Sequence, residues 1–192
     1  MIHVYYLLII NNHPLSYHQV IMDTEEIVQY IDANFRKPGL QYNNPAAHTA
    51  CLDVFSKFAS FIKNVSHTPD LLLKELAYLN DFLEKSASDF ICDDVMTHLD
   101  CNVLPKLQHI RVASKAFKDF DIPAGMKGLW RYLGNAYQND TFKKTCPSDQ
   151  EIVHHWSEKK ETTPLPEHKQ HFYVVEMEPR YTLELPDYVT KQ

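Results

Sequence analysis

Apolar residues recur at helical spacing along most of this chain, and one stretch is apolar around most of its circumference. Between residues 96 and 123, Leu99, Val103, Leu107, Ile110, Ser114 and Phe117 follow one helical face, while Leu104 and Val112 put apolar groups outside it. A helix so patterned meets water on little of its surface and belongs inside a bundle. Thr97 and Asp100 have capping-box spacing, each reaching the other's backbone N–H, and Met96 stands one residue before the cap, placed to pack on Cys101 as a hydrophobic staple. Pro105 removes one N–H and crowds the carbonyl of Cys101, which predicts a bend at a fixed place.

The other elements order themselves around this helix. Two short strands are expected at residues 13–17 and 19–21, then a helix over 24–35 that Asp23 and Glu26 box and Pro38-Gly39 stops, with Ile27, Tyr30, Ile31 and Phe35 on its apolar face. Asn44-Pro45, a cap followed by proline at the first helical position, opens a helical region with a buried stripe of Leu52, Phe55, Phe58, Ala59 and Ile62. Thr68-Pro69 repeats that signal for a helix with Leu72, Leu76, Leu79 and Leu83 on one face and Lys74, Asn80 and Asp81 on the other. Asp121-Ile122-Pro123 is expected to open a further helix whose face is Met126, Leu129, Trp130, Leu133, Ala136 and Tyr137. Pro147-Ser148 opens the last, with Ser148 and Glu151 as its capping box. From Lys159 the chain turns polar, carries Pro164, Pro166, Pro179 and Pro186, and loses the period of a helix, so a flexible tail is expected, in which Phe172-Tyr173-Val174-Val175 could add an edge strand or dock a partner.

Composition narrows the class. A chain of 192 residues that is 44% hydrophobic can build a real core, and a net charge of −6 without a dense Lys/Arg cluster argues against binding nucleic acid. The cysteines at 51, 92, 101 and 146 have neither metal-ligand nor C-x-x-C spacing and read as reduced, buried thiols of a cytoplasmic protein, packing groups rather than catalysts. The two carboxylates beside Cys92 are expected to raise its pKa. The run Ile2–Ile10 lacks a basic leader and a cleavage site, so no signal peptide is expected, and it is shorter than the roughly 20 residues a spanning helix takes. Adjacent helical residues point about 100° apart, so His154 and His155 cannot easily share a metal ion; with His168 and His171 they are expected on the solvated surface, and no metal site is expected.

Asp100-Cys101-Asn102-Val103-Leu104-Pro105-Lys106-Leu107-Gln108, residues 44–63, Arg131-Tyr132-Leu133-Gly134-Asn135-Ala136-Tyr137 and Thr145-Cys146-Pro147-Ser148-Asp149-Gln150 resemble the chloride intracellular channel (CLIC) family of the glutathione transferase superfamily. The likeness covers residues 14–158 in the family's order, and a threonine capping box opening a buried helix is the folding motif of the superfamily's carboxy-terminal domain. The resemblance implies a mainly α fold: a partial thioredoxin-like hairpin and helix (1–43), an all-helical glutathione-transferase carboxy-terminal-like domain (44–158) and the tail (159–192). Pro14 then matches the cis-proline and, with Leu15, Asp23 and Thr24, a vestigial glutathione site; an edge-strand proline and a plain helix cap account for the same residues without a ligand.

The first half of the thioredoxin-like domain, with its cysteine nucleophile, has no counterpart ahead of His13, so no catalytic residue is expected and no cofactor beyond weakly held glutathione. Arg111, Lys115 and Lys118 fall where the family has a basic, nuclear-import-like patch. The resemblance links the chain to chloride transport, anion-channel activity and membrane association, impaired where that half is missing. A non-catalytic interaction scaffold and a glutathione-dependent oxidoreductase are the alternatives. The expected protein is a monomer in its soluble form, with a membrane surface and other proteins as partners.

Overall fold

Several helices in this computed structural model start where a side-chain oxygen meets free backbone N–H groups. The structure describes residues 21, 23–35, 39–86, 88–187 and 189, and the chain divides into two compact units, Met1–Arg36 and Lys37–Gln192. The strands expected at 13–17 and 19–21 lie outside the described residues, apart from Ile21, which is in neither strand nor helix. No strand occurs among the described residues.

In the first unit, α1 (Thr24–Asn34) starts where expected: Asp23 Oδ1 accepts from the N–H groups of Glu25 at 2.9 Å and Glu26 at 3.1 Å. Ile27 and Ile31 are half-buried, whereas Tyr30 and Phe35 are exposed.

The second unit begins on Asn44, whose Oδ1 accepts from Ala47 N at 3.0 Å ahead of α2 (Pro45–Cys51). The single helix expected from here breaks at Leu52-Asp53 and resumes as α3 (Val54–Ile62). The break shifts the buried stripe. Leu52, expected inside, is 62% exposed; Phe58 and Ile62 are buried as expected, Phe55 and Ala59 are half-buried, and Val54 and Phe61 join the core. In α4 (Asp70–Ser86), Leu72, Leu76, Leu79 and Leu83 are all buried as their spacing requires. Asn80, expected beside Lys74 and Asp81 on the wet face, is buried, for a reason given by the next helix but one.

The central helix, α5 (His98–Lys118), is buried along every apolar position of the predicted face, and Leu104 and Val112 are buried outside it. α3 and α8 pack against it, while α6 packs on α4. It ends on Asp119 in the left-handed region at φ 51°, where Phe120 N returns to Ser114 O at 3.2 Å. Arg111 is buried in α5, so it cannot form a surface basic patch with Lys115 and Lys118.

α6 (Lys127–Gln138) starts later than the Asp121-Ile122-Pro123 signal suggests. Its cap comes from another helix: Asn80 Oδ1 accepts from Gly128 N at 2.9 Å and Leu129 N at 3.2 Å. Two free N–H groups thus draw a polar side chain into the α4–α6 seam. Leu129, Trp130, Leu133, Ala136 and Tyr137 are buried as predicted, and Met126 is half-buried. A short helix absent from the sequence reading, α7 (Asp140–Thr145), follows on Asn139. α8 (Asp149–Ser157) opens on the predicted box, with Ser148 N donating to Glu151 Oε2 at 2.7 Å and Glu151 N to Ser148 Oγ at 3.3 Å. It is not the last element: α9 (Glu167–Gln170) runs into a π-helical turn, His171–Val175, where an edge strand was an expectation.

Candidate functional site

Pro14 and Leu15, half of the glutathione site that the resemblance implies, lie outside the described residues. Asp23 is exposed and caps α1, and Thr24 is that helix's first residue. The folding-motif residues, by contrast, converge. Asp100 is fully buried, and its carboxylate accepts from donors on three segments. Oδ2 takes Thr97 N and Thr97 Oγ1, each at 2.8 Å. Oδ1 takes Ile91 N at 2.9 Å and Tyr132 Oη at 3.0 Å. One side chain therefore fixes the start of α5, the preceding loop and the middle of α6. Tyr132 is fully buried, and burial with the Asp100 charge beside it raises its pKa well above the ordinary value, so the phenol stays a donor. Cys101 and Met96 are half-buried, and Pro105 lies inside α5.

The thiols are held in their protonated form. Burial, then Asp100 and Cys92, pushes Cys51 up to about 12, and burial with Asp149 and Glu151 pushes Cys146 up to about 11. Cys92 and Cys101 are raised as well, again chiefly by burial; for Cys92 the carboxylates that add to it are Asp100 and Asp93. Alkylation measures this directly. For Cys51 the thiolate fraction near neutral pH falls about 1,000-fold below that of an ordinary thiol, and the higher intrinsic nucleophilicity of a basic thiolate recovers part, leaving roughly 40-fold slower reaction. Mass-spectrometric labelling with iodoacetamide should show this for Cys51, with the rate rising about tenfold per pH unit through pH 9 because the pKa lies above that range. A cysteine that outpaces free glutathione at pH 7.5 would refute the assignment of these thiols as packing groups.

The histidines separate. His154, His168 and His171 are exposed as expected, but His155 is half-buried, its ring 5.8 Å from Trp156 and 5.9 Å from His109. His109, held down to about 4 by burial and then by His155, stays neutral and accepts from Trp156 Nε1 at 3.1 Å. No group of three or more metal-ligating side chains occurs among the described residues.

A second buried cluster involves the segment expected to be a flexible tail. Arg111, 4% exposed, donates to Tyr137 Oη at 2.6 Å, Thr182 O at 3.3 Å and Glu184 O at 3.0 Å. Its guanidinium lies 4.8 Å from the Trp130 ring centre, a cation–π contact. Tyr137 Oη donates to Gln108 Oε1 at 2.7 Å, and Gln108 Nε2 donates to Thr182 O at 2.9 Å. Asp149 Oδ1 accepts from Thr182 N at 3.0 Å and its Oδ2 from Thr182 Oγ1 at 2.7 Å. Further back, Lys169 Nζ donates to the α5 carbonyls of Lys115 at 2.6 Å and Ala116 at 3.1 Å and pairs with Asp119. A cation there satisfies carbonyls that the helix end leaves free. The tail is docked because these buried side chains supply the partners that its own backbone lacks. Nothing in its periodicity marks this; the hints are a glutamine and an arginine on the buried central helix.

No family model matches the chain. A curated relative, "Chloride intracellular channel exl-1" of Caenorhabditis elegans, is 37% identical over 147 residues, 77% of this chain and 60% of the relative, so the match spans less than two thirds of that protein's length. Among solved structures, the C. elegans CLIC homologue EXC-4 superposes with a TM-score of 0.72 at 24% identity, covering 86% of this chain and 65% of that one. Dehydroascorbate reductase of Chlamydomonas reinhardtii superposes at 0.63, also at 24% identity, over 71% of this chain and 66% of that one. The fold is thus a glutathione-transferase carboxy-terminal-like bundle. With the Asp100 motif at its centre and this identity along most of its length, the chain belongs to the chloride intracellular channel family.

Proposed function

We propose that the protein serves chloride transport, with the helical unit as its folded body and anion conduction dependent on residues outside that unit. The observation that carries this is the 37% identity with a relative named as a chloride intracellular channel. Among the described residues no helix is long and apolar enough to cross a membrane. The longest, α5, has Asp100, Lys106, Arg111, Lys115 and Lys118 along it. Each charge near a bilayer centre costs about 2.5–3.5 kcal/mol on insertion scales, more than several leucines return. On this reading the protein is cytoplasmic with a membrane-associated form, and Asp23 and Thr24 supply a weak glutathione contact. A glutathione-dependent oxidoreductase fits less well, since burial raises every thiol among the described residues.

The test is planar-bilayer conductance of the purified 192-residue chain beside a fusion that adds a complete CLIC thioredoxin-like half. Anion-selective currents are expected from the fusion and not from the chain alone. Currents from the chain alone would overturn the assignment of conduction to other residues, and silence from both would overturn the chloride reading.

A further inference from the structure

The carboxy-terminal segment is bound as an extended peptide is bound by a receptor. Its main chain is read at every second residue by side chains and one backbone N–H of α5 and α8. Gln150 Nε2 donates to Glu178 O at 2.7 Å, and Gln150 Oε1 accepts from Arg180 N at 3.0 Å. Asp149 N donates to Arg180 O at 2.8 Å. Asp149 then accepts Thr182 N, Gln108 and Arg111 hold Thr182 O, and Arg111 holds Glu184 O. Period two is that of an extended chain. Two side chains of the segment are seated on α6 and α8: the Thr182 hydroxyl on Asp149, and Leu185, which lies where a Cβ on Gly134 would come within 3.2 Å of its Cδ1; Arg180 instead turns to Glu176 and Phe172, outside the groove. Tyr181, next to Thr182, is exposed.

We propose that this groove, formed by Gln108, Arg111, Gly134, Asp149 and Gln150, is a peptide-docking site that its own residues 178–185 fill in cis, and that it takes an extended segment of a partner protein carrying threonine followed three residues later by leucine. Recognition through the main chain tolerates sequence change, so the requirement falls on two side chains. Arg111 keeps its Nε without a hydrogen bond, 4.0 Å from Asp121, so the resident segment leaves a buried donor unused. A buried donor left without a hydrogen bond is unfavourable, which favours exchange of the occupant. The chain leading to the segment is tied down separately by Lys169 on the end of α5 and by Asn64 Nδ2 on Thr163 Oγ1 at 2.9 Å. The segment can therefore lift from the groove while its tether stays in place, which favours displacement by a partner over exchange of whole tails between two copies.

The test uses the full chain with its own segment weakened by Thr182→Val and Leu185→Ser, and as probe a fluorescein-labelled peptide of the sequence of residues 178–186. Anisotropy titration should show the probe binding the weakened chain about tenfold or more tighter than the unaltered chain, a difference of about 1.4 kcal/mol. N-methylation of the probe's threonine, which removes the N–H that Asp149 accepts, should abolish binding, whereas replacing its tyrosine by alanine should leave binding unchanged. With the unaltered chain, excess probe should speed hydrogen exchange at the amides of Arg180 and Thr182. Equal binding of the N-methylated probe would overturn the proposal. So would failure of the probe both to bind a folded, weakened chain and to speed that exchange. A doubled mass of the unaltered chain in light scattering, reversed by the probe, would replace the partner by a second copy.

Discussion

Asp100→Ala is expected to lower the unfolding free energy of this protein by about 3–5 kcal/mol, because several buried donors lose their acceptor at once and each costs about 1–3 kcal/mol when left unsatisfied. The carboxylate is fully buried, and its loss leaves Ile91 N, Thr97 N and Tyr132 Oη, each now within 3.0 Å of one of its oxygens, without acceptors. Water cannot reach them without opening the contact between α6 and the start of α5. Thr97→Ala removes only a hydroxyl at the same site and should cost about 1 kcal/mol, the ordinary loss of a cap. Asp100→Asn falls between, because one oxygen still accepts while the new NH2 group confronts donors on its other side. Urea melts followed by the fluorescence of Trp130 and Trp156 give all three values. A loss below 1 kcal/mol for Asp100→Ala, with the transition's denaturant dependence unchanged, would show that Asp100 is not the hub of the fold.

The hub was legible in part. Thr97 and Asp100 stand at capping-box spacing ahead of an apolar run, and that pattern alone places the start of α5. What it does not contain is the other half of Asp100's work, because Ile91 contributes a backbone N–H and Tyr132 comes from another helix. A backbone donor has no residue type to be read. Asn80 failed for a related reason: its neighbours Lys74 and Asp81 mark a wet face, and both are exposed. Asn80 turns inward because α6 begins at a point where no residue of its own supplies the cap. Helix faces and most helix starts followed from local sequence, while the break at Leu52-Asp53 and the docking of residues 178–185 are tertiary events that override local preference. Arg111 shows the scale of that override: the family resemblance sets it in a basic patch with Lys115 and Lys118, and the structure instead buries it against Tyr137 and two carbonyls.

Gly128→Ala provides the sharpest conflict between local and tertiary reasoning, because the two predict opposite signs. Within α6 a glycine is about 1 kcal/mol worse than alanine, so propensity alone makes the substitution stabilising. A Cβ at Gly128, however, would lie 2.7 Å from Asn80 O and 2.9 Å from both Glu84 N and Glu84 Cγ. Two of those atoms are α4 backbone and cannot swing aside, so α4 and α6 must separate. Overpacking of this kind costs about 1–3 kcal/mol. The separation also stretches the bonds from Gly128 N and Leu129 N to Asn80, a further loss of about 1 kcal/mol for the cap. After the propensity gain, the net expectation is destabilisation by about 1–3 kcal/mol, a fall of several degrees in melting temperature for a chain of this size. Gly134→Ala in the same helix is the control. Its Cβ would meet only the flexible end of Leu185 at 3.2 Å and Val189 at 3.6 Å, which can shift. Its bundle should keep or gain stability while exchange at the amides of Arg180 and Thr182 speeds up. Calorimetry on the two variants separates the readings: a Gly128→Ala protein that melts above the native one would mean that α4 and α6 do not approach as closely as their backbone bonds to Asn80 require.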